Sequence, residues 1–403
     1  MGEGSRGRRI IPLVVLVLAF SGTPALAVSP ANELFERTWS RTDRPVAEGQ
    51  INRTWMWGPA AFTELMNEPY GGTPEAARGV QYFDKSRMEI TDPTSDPNSI
   101  WHVTNGLLVV EMVTGRIQTG AVSFEDAEPA MVNVAGDAGD PNGPTYTTMH
   151  QLLEQAPHDA GQTITSRLDR AAQSTDDPGL AVHGVTAAEL VPETNHRVAS
   201  IFWDFMISDG LVYGFDGYTE DRLFQNPFYA TGFPISEAHW ATIQVAGTST
   251  DVLMQCFERR CLTYTPGNDD GWQVEAGNVG RHYYEWRHGP VQIPTSGDVR
   301  VTDVFFDPVD EGDRSGEYVT IQNFDPYPVD LTGWTLTDEG PRATFVVPPF
   351  VFQPGASLRI YNCTGADTLT ELYTGRCSAW WNNDGDIASL FTATGTLVSQ
   401  YEY

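Results

Sequence analysis

Three textures of hydrophobic and polar positions follow one another along the 403 residues. The first is an unbroken apolar run over 10–20, preceded by Arg6, Arg8 and Arg9 and followed by Ala25-Leu26-Ala27, a small-x-small pattern. A helix of about 11 residues rises only about 16 Å, against roughly 30 Å for a hydrocarbon core. The run therefore reads as the core of a cleaved export signal, residues 1–27, and not as a membrane anchor.

The second texture, over 28–290, mixes the helical period with the strand period. Val198, Ile201, Phe202, Phe205 and Met206 recur at i, i+3, i+4, i+7 and i+8, which predicts a helix with Asn195 as N-cap and Gly210 just past its end. Met149, Leu152 and Leu153 predict a shorter helix, and Thr186 with Glu189 reads as a capping box. Residues 119–197 are rich in Gly, Pro, Asp and Ala, and much of this stretch reads as loop. Three blocks recur in order. Residues 34–46 lie over 223–235 without a gap, with Leu, Phe, Thr and Pro coinciding. Residues 81–91 match 255–265 in identity or class at most positions. Trp101, Val103 and Gly106 lie over Trp272, Val274 and Gly277. This order predicts a duplication with units at about 34–118 and 223–288. Each unit is expected to hold a short extended segment, a hairpin turning at Asp84-Lys85 or Glu258-Arg259, and an aromatic-rich strand or helix start.

Four cysteines form two local pairs, neither with the spacing of a metal knuckle. On one straight strand Cys256 and Cys261 would lie roughly 16 Å apart, beyond the reach of about 7 Å that a disulfide allows. A two-residue turn at Glu258-Arg259 would set them opposite each other. The other unit has Tyr82 and Arg87 in those places, so the two cysteines are present or absent together. Cys256 with Cys261, and Cys363 with Cys377, are expected to be structural disulfides formed in an oxidising, extracellular or cell-surface location.

The third texture begins after Gly289-Pro290 and a polar linker at 291–297. Short strand-like runs at 299–306, 317–322, 331–337, 344–347, 357–361, 387–392 and 397–403 are parted by turn residues, the pattern of an all-β sandwich. In Leu331-Thr332-Gly333-Trp334 a glycine lets the chain bend and a large ring follows to fill a core. The stretches 317–323, 329–338, 352–356 and Trp381-Asn382-Asn383-Asp384-Gly385-Asp386, with Leu390 and Gly395, resemble the bacterial lamin-tail domain over about 298–403. The resemblance implies an immunoglobulin-like β-sandwich and an appended module that tethers or binds, without catalysis. The coiled-coil rod of the animal members is absent here, so their nuclear roles do not transfer. The region over about 30–290 resembles a pattern that recurs in uncharacterised secreted bacterial proteins, and that likeness carries no activity. The fold class expected is mainly β with some α: an α+β region containing a duplicated hairpin unit, then the sandwich.

Charge narrows the partners. Without the leader, which carries Glu3 and three arginines, 52 acids face 21 bases, a net charge of −31. Such a surface repels phosphate and anionic headgroups, so neither nucleic acid nor a membrane face is an expected partner, and no span follows signal cleavage. With 40% hydrophobic and 11% aromatic residues the chain still buries real cores. Signatures of metal proteolysis, nucleotide use, serine hydrolysis and dinucleotide binding are absent, so no catalytic residue and no cofactor is assigned. His282 with Tyr283, Tyr284, Glu285 and Trp286 reads as packing ahead of a base beside a carboxylate. Asp137, Asp140 and Asn142 read as a polar turn ahead of a calcium site, and Asp384-Gly385-Asp386 as a turn ahead of a calcium loop. The expected function is a secreted or cell-surface, non-catalytic binding or adhesion protein for an extracellular glycan or protein. The alternative is an extracellular hydrolase with its site between residues 119 and 222 and the sandwich as accessory, a reading that loss of turnover on mutating His282 or Asp137 would favour.

Overall fold

The computed structural model describes residues 28–403 except 74, 292–293, 307, 309–315, 326–327, 341–342 and 354. The expected leader, 1–27, lies outside the described residues. Among the described residues, three hydrophobic clusters hold the fold. Two of them interleave residues from across 28–291, and the third is confined to 299–403. The chain is mainly β with some α, and its C-terminal part is an immunoglobulin-like sandwich.

Two hairpins organise the N-terminal region. In the first, Ala77–Phe83 pairs with Ser86–Ile90, turning at Asp84-Lys85 with Tyr82 opposite Arg87. In the second, Thr248–Cys256 pairs with Cys261–Tyr264, turning at Glu258-Arg259 with Cys256 opposite Cys261. The likeness extends beyond the hairpins. Phe62 N donates to Tyr82 O as Ile235 N does to Cys256 O, and Lys85 N to Trp57 O as Arg259 N does to Thr231 O. Thr104 bridges Glu89 as Glu275 pairs with Thr263. Gly58 and Gly232 both take positive φ, +126° and +70°, against the acidic residue of the turn, Asp84 or Glu258, a conformation that suits glycine.

Each hairpin leads into a helix that reaches across to the other hairpin. From Leu108–Thr114, Val109 N and Val110 N donate to Glu258 O; from Val279–His288, Arg281 N donates to Asp84 O. Gly280 permits the second approach, because a Cβ there would run into the carbonyl oxygens of Phe83 and Ser86. The contact is therefore reciprocal, as in an isologous interface.

The leading block departs from the expectation. Residues Glu33–Thr42 form a helix and not an extended segment, because Asn32 caps it by accepting from Leu34 N and Phe35 N. The segment beside the first hairpin comes instead from Ala61, which bridges Phe83 as Pro234 bridges Phe257.

Three helix readings are also corrected. Asn195 does not cap a helix: it sits at φ +55° in the turn joining strands Ala187–Val191 and His196–Ala199. Asparagine tolerates that region, and cross-strand pairing overrides the helical period. The helix starts later, as Ser200–Met206, and Val198 is buried from a strand instead. Thr186 and Glu189 form no capping box, since 187–191 is strand. A capping box does occur at Thr145 and Thr148, opening the short helix Tyr146–His150; Leu152 and Leu153 lie in the turn that follows it.

The C-terminal sandwich has two four-stranded sheets. One runs in the order Val299–Phe305, Tyr318–Asn323, Ser357–Tyr361, Glu371–Tyr373; the other runs Thr344–Val346, Thr335–Thr337, Ile387–Phe391, Leu397–Glu402. Alternation along Tyr318–Asn323 buries Val319, Ile321 and Asn323 and turns the residues between them outward. Trp334 is fully buried after Gly333 at φ +77°, and its indole donates to Thr295 O at 3.2 Å.

Both cysteine pairs are at bonding distance, with Cα–Cα separations of 4.0 Å and 4.3 Å. Cys256 turns its N to Ser236 Oγ and its O to Ile235 N, so it faces Cys261 as a non-hydrogen-bonded pair, where cross-strand side chains approach most closely. Cys363 and Cys377 are 14 residues apart. Replacing both by serine is expected to cost the sandwich about 3 kcal/mol through the freed unfolded chain, read from the urea midpoint of that domain. A loss below about 1 kcal/mol would show that the bond adds little constraint.

Candidate functional site

Helix Glu33–Thr42 carries Arg37 and Arg41 along one side, and the hairpin Asp209–Gly214 with Gly217–Arg222 packs against it. A two-residue turn tips that hairpin, leaving Phe215 fully exposed. The second organising hairpin brings Arg260 from beneath. Between these elements lies a cleft of about 270 Å³. Its apolar wall includes Trp57, Tyr213, Phe215, Phe224 and Tyr229; Thr38, Asn98, Ser99 and Gln225 supply neutral polar groups.

The charge in this cleft inverts that of the chain. Among the described residues its lining includes Arg37, Arg41 and Arg260 and no Asp or Glu, although 53 of the 403 residues are acidic. Arg260 is fully buried and held by neutral oxygens: Nε donates to Ala230 O at 3.0 Å, Nη1 to Met56 O, and Nη2 to Asn105 Oδ1 at 3.2 Å. Its guanidinium also lies 5.1 Å from the Trp57 ring centroid. Burial pushes its pKa down to about 10, with Asp43 opposing, so it stays a cation at neutral pH. Arg37 donates to Pro97 O. Arg41 binds Asp221 at 3.1 Å and Arg222 O at 2.7 Å, while its Nε is buried with no acceptor. At the rim the exposed ring of Trp101 lies 5.6 Å from Tyr229 and 5.6 Å from the Arg259 guanidinium.

The residues singled out from the sequence lie elsewhere. Asp137 accepts from Ala246 N and Gly247 N at 2.9 and 2.8 Å, clamping the hairpin His239–Val245 with Thr248–Cys256. Asp140 accepts from Asn142 N and Gln244 N, so these carboxylates serve backbone amides. Asp386 accepts from Glu339 N and Ile387 N at a turn where Gly385 has φ +119°. Among the described residues no group of three or more His, Cys, Asp or Glu could hold a metal ion. His282 meets the Tyr146 hydroxyl at 3.0 Å, away from the cleft.

Sequence reading missed two serine–histidine contacts. Ser166 Oγ lies 3.0 Å from His239 Nδ1, and Ser95 Oγ lies 2.7 Å from His102 Nδ1. The other nitrogen of His239 meets Gln155 Oε1 at 2.9 Å, an amide in the place where a hydrolase triad has a carboxylate to stabilise the imidazolium. Neither serine lines the cleft. The cleft residues were missed as well. Their one local signal is Gly214-Phe215-Asp216-Gly217, turn chemistry carrying a phenylalanine that no core requires.

On the sandwich, Phe305, Tyr318, Tyr361 and Tyr373 form one cross-strand row with centroids 5.1, 5.1 and 5.2 Å apart. The outer two pairs stack face to face, so their rings brace adjacent strands.

Residues 292–403 match the family model described as Lamin Tail Domain, so the chain carries a C-terminal lamin-tail domain. The match begins within the stretch read as linker, where Pro294 O and Thr295 O accept bonds from Asp330 N and Trp334 Nε1. No curated protein compared with the chain matches it.

Proposed function

We propose that this is an exported, non-catalytic binding protein of the cell surface or its surroundings. The N-terminal region holds an extracellular glycan or protein ligand in the cleft, and the lamin-tail domain tethers the molecule. The observation that carries this reading is the cleft itself: exposed rings, neutral hydrogen-bonding groups and cations converge there with no nucleophile–base pair opening into it. The two cysteine pairs and the leader-like segment support a workplace outside the cytoplasm. No helix among the described residues is long and apolar enough to cross a membrane. The common register of the two hairpins and their reciprocal helix contacts support a duplicated region whose units, about 34–118 and 223–288, meet at the cleft.

The test is retention of the mature chain on isolated cell-wall polysaccharide and on surface proteins. Retention is expected, and Phe215→Ala is expected to weaken it about tenfold, the loss of one aromatic anchor. Passage through every such matrix without delay would overturn the reading.

A further inference from the structure

We propose that the cleft selects a saccharide end bearing a single carboxylate, such as a terminal uronic acid. This deepens the binding role proposed above and rests on it. Charge supplies the first argument. A desolvated cation ordinarily has an anion against it; Arg260 directly contacts two backbone carbonyls and one amide oxygen, with the buried Asp43 acting on it without a direct bond. Arg37, on the helix above, likewise donates to a carbonyl. Arg41 is paired with Asp221 and the buried Asp43 acts on Arg260, so Arg37, whose partner is a backbone carbonyl, is the cation left for an incoming group. A planar guanidinium fits a carboxylate through paired, charge-assisted hydrogen bonds.

The remaining lining argues for a sugar. Thr38, Asn98, Ser99 and Gln225 offer donors and acceptors to hydroxyl groups, while Tyr213, Phe215 and Tyr229 present apolar surface to a ring. The volume of about 270 Å³ falls just under the usual range of roughly 300–1,000 Å³ for ligand pockets, which suits a chain end and not a run of polymer. The strongly acidic surface beyond the cleft repels a polyanion at long range, so one charge at the end of an otherwise neutral glycan is favoured over a uniformly charged one.

The experiment titrates the mature protein, by calorimetry and tryptophan fluorescence, with a glucuronate-terminated disaccharide, its neutral glucose-terminated counterpart and inorganic phosphate. The acidic disaccharide is expected to bind at least about tenfold more tightly than the neutral one, one charge-assisted contact being worth that much, with affinity falling as salt rises. Arg37→Gln, on the exposed helix, is expected to erase most of that preference while leaving the melting temperature unchanged. Arg260→Gln, beneath the cleft, is expected to weaken binding through the loss of its bonds to Ala230 O and Met56 O, and Arg37→Gln keeps the test meaningful should the buried variant fail to fold. Equal affinity for the two disaccharides, or phosphate binding as tightly as the glucuronate end, would overturn the inference. If the protein is retained on wall material but shows equal affinities, the inference fails and the binding role stands; no retention on any matrix removes the role itself.

Discussion

Replacing Arg87 by alanine is expected to cost the N-terminal region about 3–5 kcal/mol, the usual consequence of breaking a buried ion pair from one side. Arg87 is fully buried and binds Glu68 at 3.0 Å and Glu89 at 2.5 Å. Arg78 reaches the same two carboxylates at 3.4 and 3.5 Å, Arg287 reaches Glu68 at 2.7 Å, and the Tyr82 hydroxyl donates to Glu68 at 2.5 Å. Burial works to raise the pKa of Glu68, yet Arg87, His288 and Arg287 together hold it below the usual carboxylate range. Without Arg87 the shared charges lose their centre. The second hairpin has Cys256 and Cys261 at this same cross-strand position, so each hairpin braces its turn differently: one by a covalent bond, the other by a buried charge network. For that reason the double substitution Tyr82→Cys with Arg87→Cys is not expected to restore stability, since a new disulfide would leave Glu68 and Glu89 short of a cation. Urea unfolding followed by tryptophan fluorescence, with the sandwich as internal reference, measures both variants. A loss below about 1 kcal/mol for Arg87→Ala would show that the network is dispensable.

Mild acid is the second large effect. Burial lowers the pKa of His239 to about 4, with His158 adding to the shift, and it lowers His282 to about 4, with Lys85 and Arg281 adding. In the unfolded chain both titrate near 6.5. Between pH 6.5 and 4 the unfolded state therefore binds more protons than the folded state, and stability falls as pH falls through that window. A shift of this size is worth up to about 3 kcal/mol for each histidine. Glu89, which burial works to raise but Arg87 and Arg78 hold low, adds its loss only below about 4.5. His239→Gln, keeping polarity between Ser166 and Gln155, is expected to flatten the slope of stability against pH between 6.5 and 4. An unchanged slope would show that His239 does not carry this dependence.

The parts of the fold legible from sequence are those decided by near neighbours. Cysteines five residues apart can meet only across a tight turn, and that is where the second hairpin reverses. Alternating strands parted by turn residues gave the sandwich its outline. The two-residue strands Val329–Asp330 and Val351–Phe352 and the parallel edge strand Glu371–Tyr373 were too short to show a period. At Asn195 the periodicity misled, because a hairpin turn and a helix N-cap favour the same residue type, and only pairing with Ala187–Val191 chose between them.

The candidate site was not legible. Arg37 and Arg260 stand more than two hundred positions apart, and neither has a neighbour in sequence that marks it as part of a cleft.

By itself the sequence determined the local devices of this protein: the hairpin turns, the cysteine partners, the alternation of the sandwich and the acidity of the whole. Tertiary structure alone decided that a few arginines of this acidic chain gather in one acid-free hollow. Turns and periods arise from forces between residues close along the backbone, whereas the composition of a cleft depends on which distant surfaces hydrophobic burial drives together.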